Sequence, residues 1–298
     1  MQPSATGQVG NKKLDIPESG RHDKTSSYLG ALEVEPHPNL RRFQLVLHFH
    51  ASYRGEFGRR SVLLAKASTR IMSAEKRTFE MAKEAILSLG DPSTPTDMIQ
   101  FYNRWAEFYE QDVELIEYRA PALAAEGVSA HFSGERRAAA PVLDVACGTG
   151  KVAKMMEREG FRHFVGVDCS EGMLRSARRS GLYRELKAAV LGDQPLPVPS
   201  GEFEVVIIVG ALSSSHISVC VIRELCRAAK QGGLVCMTAK CDSENLDYKA
   251  ALEGEMKQME DEGLWRRVDV IHVTEWQRGV TDHERGYIPG CVYLFEKL

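Results

Sequence analysis

The sequence predicts an α/β fold with a doubly wound, mostly parallel sheet of seven strands, and two observations carry this prediction. From residue 141 onward, short apolar runs alternate with amphipathic segments, which is the pattern of parallel strands joined by crossover helices. The last two strand-like runs, "VDVIHVTEW" and "CVYLFEKL", have no helical segment between them, so they are expected to pair antiparallel. The final strand should therefore run against the others.

Five apolar runs define the parallel strands, and amphipathic segments define the helices that connect them. The predicted strands cover residues 142–146, 164–167, 186–191, 205–209 and 234–238. The predicted helices cover 150–159, 172–180 and 217–229, and a further helix at about 245–262 precedes the two C-terminal strands. Strand and helix alternate in the order that a doubly wound sheet requires.

The chain ahead of this sheet divides into two parts by composition. Residues 1–71 hold 11 basic and 6 acidic side chains, although the whole chain has a net charge of −3. This segment is also rich in Ser, Gly and Pro near its start, which predicts a basic, largely disordered extension. Residues 72–140 predict helices, including one capped by Thr96 and a later one that is kinked or split at Pro121. We expect 72–140 to form a helical cap on a core of residues 141–298.

Large aromatic side chains recur at helical spacing in this predicted cap. Met98, Tyr102, Trp105 and Tyr109 lie on one face of the helix in "TDMIQFYNRWAEFYEQD". Such a stripe is usually core packing, but aromatic faces also stabilise a bound cation. Both interpretations stay open at this point.

Composition excludes several classes of protein. The chain is 43% apolar, yet no apolar run approaches the ~18 residues of a membrane span, so we expect no membrane association and a cytoplasmic protein, with the nucleus left open. The basic residues of 1–71 are scattered, which does not favour nucleic acid as a partner. Seven cysteines contain no CxxC pair, so reduced, mostly buried thiols are expected rather than a disulfide scaffold or a metal site.

A glycine-rich turn follows the first predicted strand in "VLDVACGTG", residues 142–150. Gly148, Gly150 and Ala153 satisfy the G-x-G-x-x-A fingerprint of dinucleotide sites. Asp144, just ahead of the turn, would repel a pyrophosphate but attract a cationic amino group. Asp168 ends the second strand 18 residues after Gly150, where a carboxylate can accept both hydroxyls of a ribose. The sequence favours a nucleoside ligand with a positive end.

Four segments in order, "VLDVACGTG", "VGVDCSEGML", "LGDQPLPVPSGEFEVV" and "AAKQGGLVCMT", resemble signature segments of the class I S-adenosylmethionine-dependent methyltransferases. The resemblance covers roughly residues 96–298, and "FYNRWAEFYEQDV", "EYRAP", "IIVGAL" and "GYIPGCVYLFEK" resemble a methyltransferase-like group within that class. It implies a Rossmann-like fold, S-adenosylmethionine as cofactor, and helices before the first strand that cover the cofactor.

The resemblance also implies roles for individual residues, one segment at a time. Asp144 would hold the methionine amino group, and the methionine moiety would lie along Ala146, Cys147, Gly148 and Gly150. Asp168 would bind the ribose, while the adenine would lie near Cys169 and Met173, with Asp193 and Gln194 at its edge. The transferred methyl group would lie beside Val209, Gly210 and Ala211, and the sulfonium would be covered by Tyr102, Trp105 and Tyr109. Ala146 stands where the usual pattern has a glycine.

The acceptor of the methyl group is the part that the resemblance leaves open. "GALSSSH" replaces the N/D-P-P-Y/F motif of enzymes that methylate bases and amides, and His216 is the one titratable residue near this loop, either a candidate base or a capping histidine. We expect a monomer that methylates a small molecule or a protein by in-line displacement. A non-catalytic S-adenosylmethionine-binding partner protein is the alternative, and an NAD-binding oxidoreductase is disfavoured by Asp144 and the antiparallel last strand.

Overall fold

A seven-stranded sheet forms the centre of the computed structural model, which describes residues 76–90, 94–192, 194–214, 216–241 and 245–298. Its strands are β1 (Pro141–Val145), β2 (His163–Asp168), β3 (Tyr183–Ala188), β4 (Phe203–Ile208), β5 (Ala229–Lys240), β6 (Trp265–Arg278) and β7 (Tyr287–Lys297). Their order is β3-β2-β1-β4-β5-β7-β6. The first five strands pair parallel, and β7 pairs antiparallel with both β5 and β6. The predicted sheet, with its antiparallel final strand, is confirmed.

Helices cover both faces of this sheet. They are α1 (Phe79–Leu87), α2 (Pro95–Trp105), α3 (Tyr109–Leu115), α4 (Ala120–Ser129), α5 (Gly134–Ala139), α6 (Lys151–Arg158), α7 (Glu171–Arg179), α8 (Val221–Ala228) and α9 (Leu246–Asp261). Apolar side chains of α8 and α9 pack with Leu143 on one face, whereas those of α4 and α6 pack with Val142 on the other. Neighbouring residues of β1 thus face opposite layers, as a doubly wound sheet requires. Within the described ranges, no helix is long and apolar enough to cross a membrane.

Helix α2 begins earlier than the sequence predicts. Its N-cap is Thr94, whose Oγ1 accepts a hydrogen bond from the N–H of Asp97 at 3.2 Å. The predicted cap at Thr96 was wrong because Pro95, with its preset φ and missing N–H, is suited to the first helical position. The basic extension predicted for residues 1–71 lies outside the described residues.

The aromatic stripe is divided between two helices. Helix α2 ends at Trp105, so Tyr109 begins α3 instead of continuing the same helix. The predicted split of the following helix is present, but it falls at residues 116–119, where Glu117 takes a left-handed φ of 53°. Pro121 lies in the first turn of α4, where a proline removes no helical hydrogen bond.

Candidate active site

A cleft opens at the carboxyl ends of β1, β2 and β4, where the order of strands reverses and ligands of doubly wound sheets bind. We call it the strand-end cleft; its volume is about 690 Å³. Ten of the residues predicted to hold a cofactor line it: Tyr102, Tyr109, Ala146, Gly148, Asp168, Cys169, Met173, Val209, Gly210 and Ala211. The fold therefore brings together residues that are more than 100 positions apart in the chain.

Asp168 anchors the floor of the strand-end cleft. Its Oδ2 accepts the N–H of Gly148 at 2.8 Å, and its Oδ1 accepts the N–H of Ser170 at 2.9 Å. Burial raises the pKa of this carboxyl, and the backbone N–H groups of Ser170, Gly148 and Cys169 partly offset that rise. Because each carboxylate oxygen can accept a second hydrogen bond, Asp168 can fix the glycine turn and still bind two ligand hydroxyls.

A second cavity of about 780 Å³ adjoins the strand-end cleft, and we call it the aromatic cavity. Its wall contains Phe101, Trp105, Tyr118 and Trp276, with Ser213, Thr238, Lys240 and Gln277 as polar groups. Four residues line both spaces: Tyr102, Tyr109, Gly210 and His216. The two spaces thus meet at one shared wall.

Gly210 permits the close packing of this wall. Its φ is 74°, and a Cβ built on it would lie 2.2 Å from the hydroxyl oxygen of Tyr118. Its N–H donates to Oγ1 of the buried Thr238 at 3.0 Å, which holds the end of β4 against β5. Only glycine fits here, because any side chain would displace Tyr118 at the junction of the two spaces.

Comparison with known proteins identifies the family to which this chain belongs. A "Methyltransferase domain" family model matches residues 142–233. Methyltransferase-like protein 27 of Homo sapiens is 46% identical over 167 residues, which cover 56% of this chain and 67% of that protein. The chain belongs to the class I S-adenosylmethionine-dependent methyltransferases. It is a methyltransferase whose cofactor is S-adenosylmethionine.

The chain is also similar to a second curated protein and to solved structures. Demethylmenaquinone methyltransferase of Listeria monocytogenes serotype 4a (strain HCC23) is 35% identical over 102 residues, which cover 32% of this chain and 43% of that protein. The crystal structure of an S-adenosylmethionine-dependent methyltransferase from Mesorhizobium loti aligns with a TM-score of 0.41 and 15% identity, covering 58% of this chain and 98% of that one.

Asp144 of this methyltransferase lies on β1, ahead of the glycine turn, and is almost completely buried, with 1% of its surface exposed. Its Oδ2 accepts the hydroxyl of Tyr183 at 2.6 Å, whereas Oδ1 accepts no hydrogen bond from any residue that the structure describes. Burial raises the pKa of Asp144 to about 7, although the hydrogen bond from Tyr183 opposes the rise. A buried carboxylate with one unused oxygen fits the cationic amino group of S-adenosylmethionine.

Gly166 lets Tyr183 reach Asp144 across the sheet. Gly166 pairs with Asp144 in the register of β1 and β2. A Cβ on Gly166 would lie 2.9 Å from the Tyr183 ring and 2.6 Å from Leu186, both on β3. The absence of a side chain on β2 therefore opens the path for the hydrogen bond.

Five of the described residues that were predicted at the cofactor do not line the strand-end cleft: Trp105, Asp144, Cys147, Gly150 and Gln194. Trp105 lines the aromatic cavity, Cys147 is buried, and Gly150 packs against the Tyr183 ring. Gln194 is exposed, and Asp193 lies outside the described residues.

Two polar residues that the sequence did not reveal, Asn103 and Glu110, hold α2 and α3 against the loops of the cleft. Oδ1 of Asn103 on α2 accepts the N–H of Gly172 at 2.7 Å and the hydroxyl of Ser170 at 2.9 Å. Asn103 thus binds the loop that follows Asp168. No local pattern marks it, because its partners are more than 60 residues away in the chain.

Glu110 on α3 makes the matching contact to the glycine turn. Its Oε1 accepts the hydroxyl of Thr149 at 2.5 Å and the ammonium group of Lys154 at 2.8 Å. Partial burial alone would raise the pKa of Glu110, but the hydrogen bonds from Lys154 and Thr149 lower it. The loops that follow β1 and β2 are therefore tied to α3 and α2, respectively.

His216 occupies the shared wall as a neutral ring. Its Nε2 lies 2.8 Å from the hydroxyl of Tyr102, and its Nδ1 lies 2.7 Å from Oγ of Ser213. Burial, and then the charge of Lys240, lower the pKa of His216 to about 4. At neutral pH the ring therefore donates at one nitrogen and accepts at the other.

Proposed function

We propose that this methyltransferase methylates a small molecule with an aromatic or apolar body, at a nitrogen or sulfur atom, inside the aromatic cavity. The observation that carries the proposal is the wall that the aromatic cavity and the strand-end cleft share at Tyr102, Tyr109, Gly210 and His216. An acceptor in one space and a cofactor in the other would meet there.

The lining of the aromatic cavity supports a small molecule over a protein side chain. Small-molecule sites are usually lined by aromatic and apolar side chains with a few polar groups among them, and the aromatic cavity has this composition. Ring systems of Phe101, Trp105 and Trp276 offer flat apolar contact, while Lys240 and Gln277 offer polar groups for orientation. A flat hydrophobic body with a few polar substituents matches this set.

The cofactor roles that we propose follow from the positions of the polar groups. Asp168 would bind the ribose hydroxyls and Asp144 the amino group, while Tyr102 and Tyr109 would face the sulfonium. Bound S-adenosylmethionine supplies a methyl group already activated for displacement. The residues of the chain are then left to orient the acceptor and exclude water, which can contribute ~7–11 kcal/mol.

His216 is proposed to position Tyr102 and not to act as a strong base. A ring with a pKa of about 4 binds a proton weakly at neutral pH, so it gives little driving force for proton removal. Its bonds to Tyr102 and Ser213 instead hold the phenol in the shared wall. This favours acceptor atoms that need no strong base, such as a neutral amine or a readily ionised thiol.

Tryptophan fluorescence provides the test. Two of the three tryptophans, Trp105 and Trp276, line the aromatic cavity, whereas Trp265 stacks on Phe295 away from it. Aromatic amines and thiols are screened for quenching in the presence of S-adenosylmethionine carrying a deuterated methyl group, and products are identified by mass spectrometry. We expect compounds that quench to become labelled, with the quenching reduced in Trp276→Phe but retained in Trp265→Phe. Label appearing only in protein substrates, without any quenching, would overturn the proposal.

A further inference from the structure

Two thiols and an imidazole meet at one end of β5 and β7, away from the strand-end cleft. Sγ of Cys241 lies 3.1 Å from Sγ of Cys291, and Sγ of Cys291 lies 3.2 Å from Nδ1 of His272. His272 on β6 is directly paired with Cys291 on β7. Among the cysteines that the structure describes, the other five form no comparable thiol pair.

The sheet holds this pair of thiols in place. The N–H of Cys241, just after β5, donates to the carbonyl of Pro289 on β7 at 2.9 Å, and Ala239 pairs with Cys291. The ladder of β5 and β7 therefore keeps the two sulfur atoms near each other. A disulfide bond is about 2.05 Å long, so the sulfur atoms must approach by about 1 Å for the bond to form.

The two cysteines differ in exposure and in proton affinity. Cys241 is partly exposed, whereas Cys291 has 1% of its surface exposed. The hydrogen bond between the two thiols lowers the pKa of Cys291, with Tyr293 and His272 contributing in the same direction against burial, and it raises the pKa of Cys241. Lys249 on α9 also faces the pair and pairs with Glu253 at 2.8 Å. One accessible sulfur thus lies beside one sulfur that readily becomes a thiolate.

We infer that Cys241 and Cys291 form a reversible intramolecular disulfide when the protein meets a small disulfide oxidant such as oxidised glutathione. Cys241 gives its proton to the Cys291 thiolate and attacks the oxidant, forming a mixed disulfide and releasing one glutathione thiolate. That thiolate takes the proton from Cys291. The Cys291 thiolate then attacks Sγ of Cys241, closing the protein disulfide and releasing the second glutathione, so two cysteines are oxidised and one oxidant molecule is reduced.

The bond would fasten the end of β5 to β7 next to the aromatic cavity. Thr238, Ala239 and Lys240, the last residues of β5, line that cavity, and Cys241 follows them directly. The site is a modification site in its own right, and its chemistry does not depend on which acceptor is methylated.

The test uses the full chain in oxygen-free buffers with graded ratios of reduced to oxidised glutathione. Samples are quenched in acid, alkylated and mapped by peptide mass spectrometry. We expect a peptide linked through 241 and 291, two hydrogens lighter than its reduced parts and restored by dithiothreitol, while the other five cysteines are alkylated. A stable glutathione adduct on Cys241 without the linked peptide, a link between two chains, or no modification would overturn the inference.

Variants separate the two thiols. Cys291→Ser should leave glutathione on Cys241, since the resolving thiol is gone, and Cys241→Ser should leave Cys291 unmodified because it is buried. Cys241→Ser changes only a partly exposed position, so its result can be interpreted even if Cys291→Ser, at the buried position, misfolds. Cys220→Ser, at an exposed lone cysteine, is the matched control and should form the linked peptide like the wild type.

Discussion

The strand-end cleft and the aromatic cavity share a wall but are built by different means. The core of the cleft is formed by strand ends and turns, and Asp168 accepts hydrogen bonds from two of their backbone N–H groups. The aromatic cavity is formed by side chains from α1, α2, α3, β5 and β6. A site made mainly of backbone changes only when the sheet changes, whereas a site made of side chains can change one residue at a time. If the cofactor binds in the cleft and the acceptor in the cavity, as we propose, cofactor recognition is tied to the fold and acceptor recognition is not.

Removing the carboxylate that organises the cleft should have the largest effect. Asp168→Ala is expected to weaken S-adenosylmethionine binding about 100-fold, which corresponds to ~3 kcal/mol and to two lost hydrogen bonds to a charged group. Isothermal titration measures the change. Asp261→Ala, at an exposed carboxylate of α9 paired with Lys257, is the control and should bind like the wild type. Equal binding by both variants would show that Asp168 does not hold the ribose.

Adding one methyl group at the shared wall should show how tightly the two spaces are packed. Gly210→Ala is expected to lower the free energy of unfolding by ~2–3 kcal/mol, because the Cβ meets the Tyr118 hydroxyl and φ is positive. Adding Tyr118→Phe should restore ~1 kcal/mol, since the nearest atom is then gone. Urea unfolding gives the double-mutant cycle.

A second glycine, Gly254, tests whether the loss of stability in Gly210→Ala comes from the close contact at the shared wall. Gly254 lies on the exposed side of α9 with open space around its would-be Cβ. Gly254→Ala should therefore raise the free energy of unfolding by up to ~1 kcal/mol. If Tyr118→Phe failed to improve Gly210→Ala, the close contact at the wall would not be the source of the loss.

Cofactor binding should depend on pH through Asp144. The pKa of Asp144 is raised to about 7 by burial, and a bound amino group favours the ionised form, so binding should release a proton below pH 7. Affinity is then expected to rise about tenfold per pH unit from 5.5 towards 7 and to level off above it. Titration calorimetry in buffers of different ionisation enthalpy counts the proton. Asp144→Asn should remove this pH dependence of the affinity, whereas Asp269→Asn, at an exposed position of β6, should keep it. If the affinity of Asp144→Asn still rose with pH, the released proton would come from another group.

The smallest expected effect concerns backbone strain in the glycine turn. Ala146 has a left-handed φ of 55° at the position where the class usually has glycine. Ala146→Gly should raise the free energy of unfolding by ~0.5–1 kcal/mol, because the steric cost of the left-handed conformation disappears. Ala122→Gly in α4 should lower it by ~1 kcal/mol, since that residue is helical. Thermal unfolding compares the two, and a loss of stability in both would argue against strain at Ala146.

Much of the cleft could be predicted from sequence because its signals are local. Asp168 and Gly148 belong to strand-and-turn segments whose residue types reveal their place, and the antiparallel end of the sheet follows from a missing helix. The polar contacts of Asn103 and Glu110 could not be predicted, since each depends on how a cap helix packs on loops that are distant in sequence. The sequence pattern also placed Tyr109 on one helix with Tyr102, whereas the structure divides them between α2 and α3.

By itself the sequence determined the strands and the glycine turn, because hydrophobic periodicity and turn chemistry act between residues that are near one another in the chain. The family and the cofactor were implied by the resemblance of four of its segments to signatures of a known class. Only the tertiary structure decided that Tyr183 reaches Asp144 past Gly166, and that Tyr118 and Trp276 line one cavity with Trp105. Contacts of this kind depend on the packing of whole elements, and no local pattern carries that information.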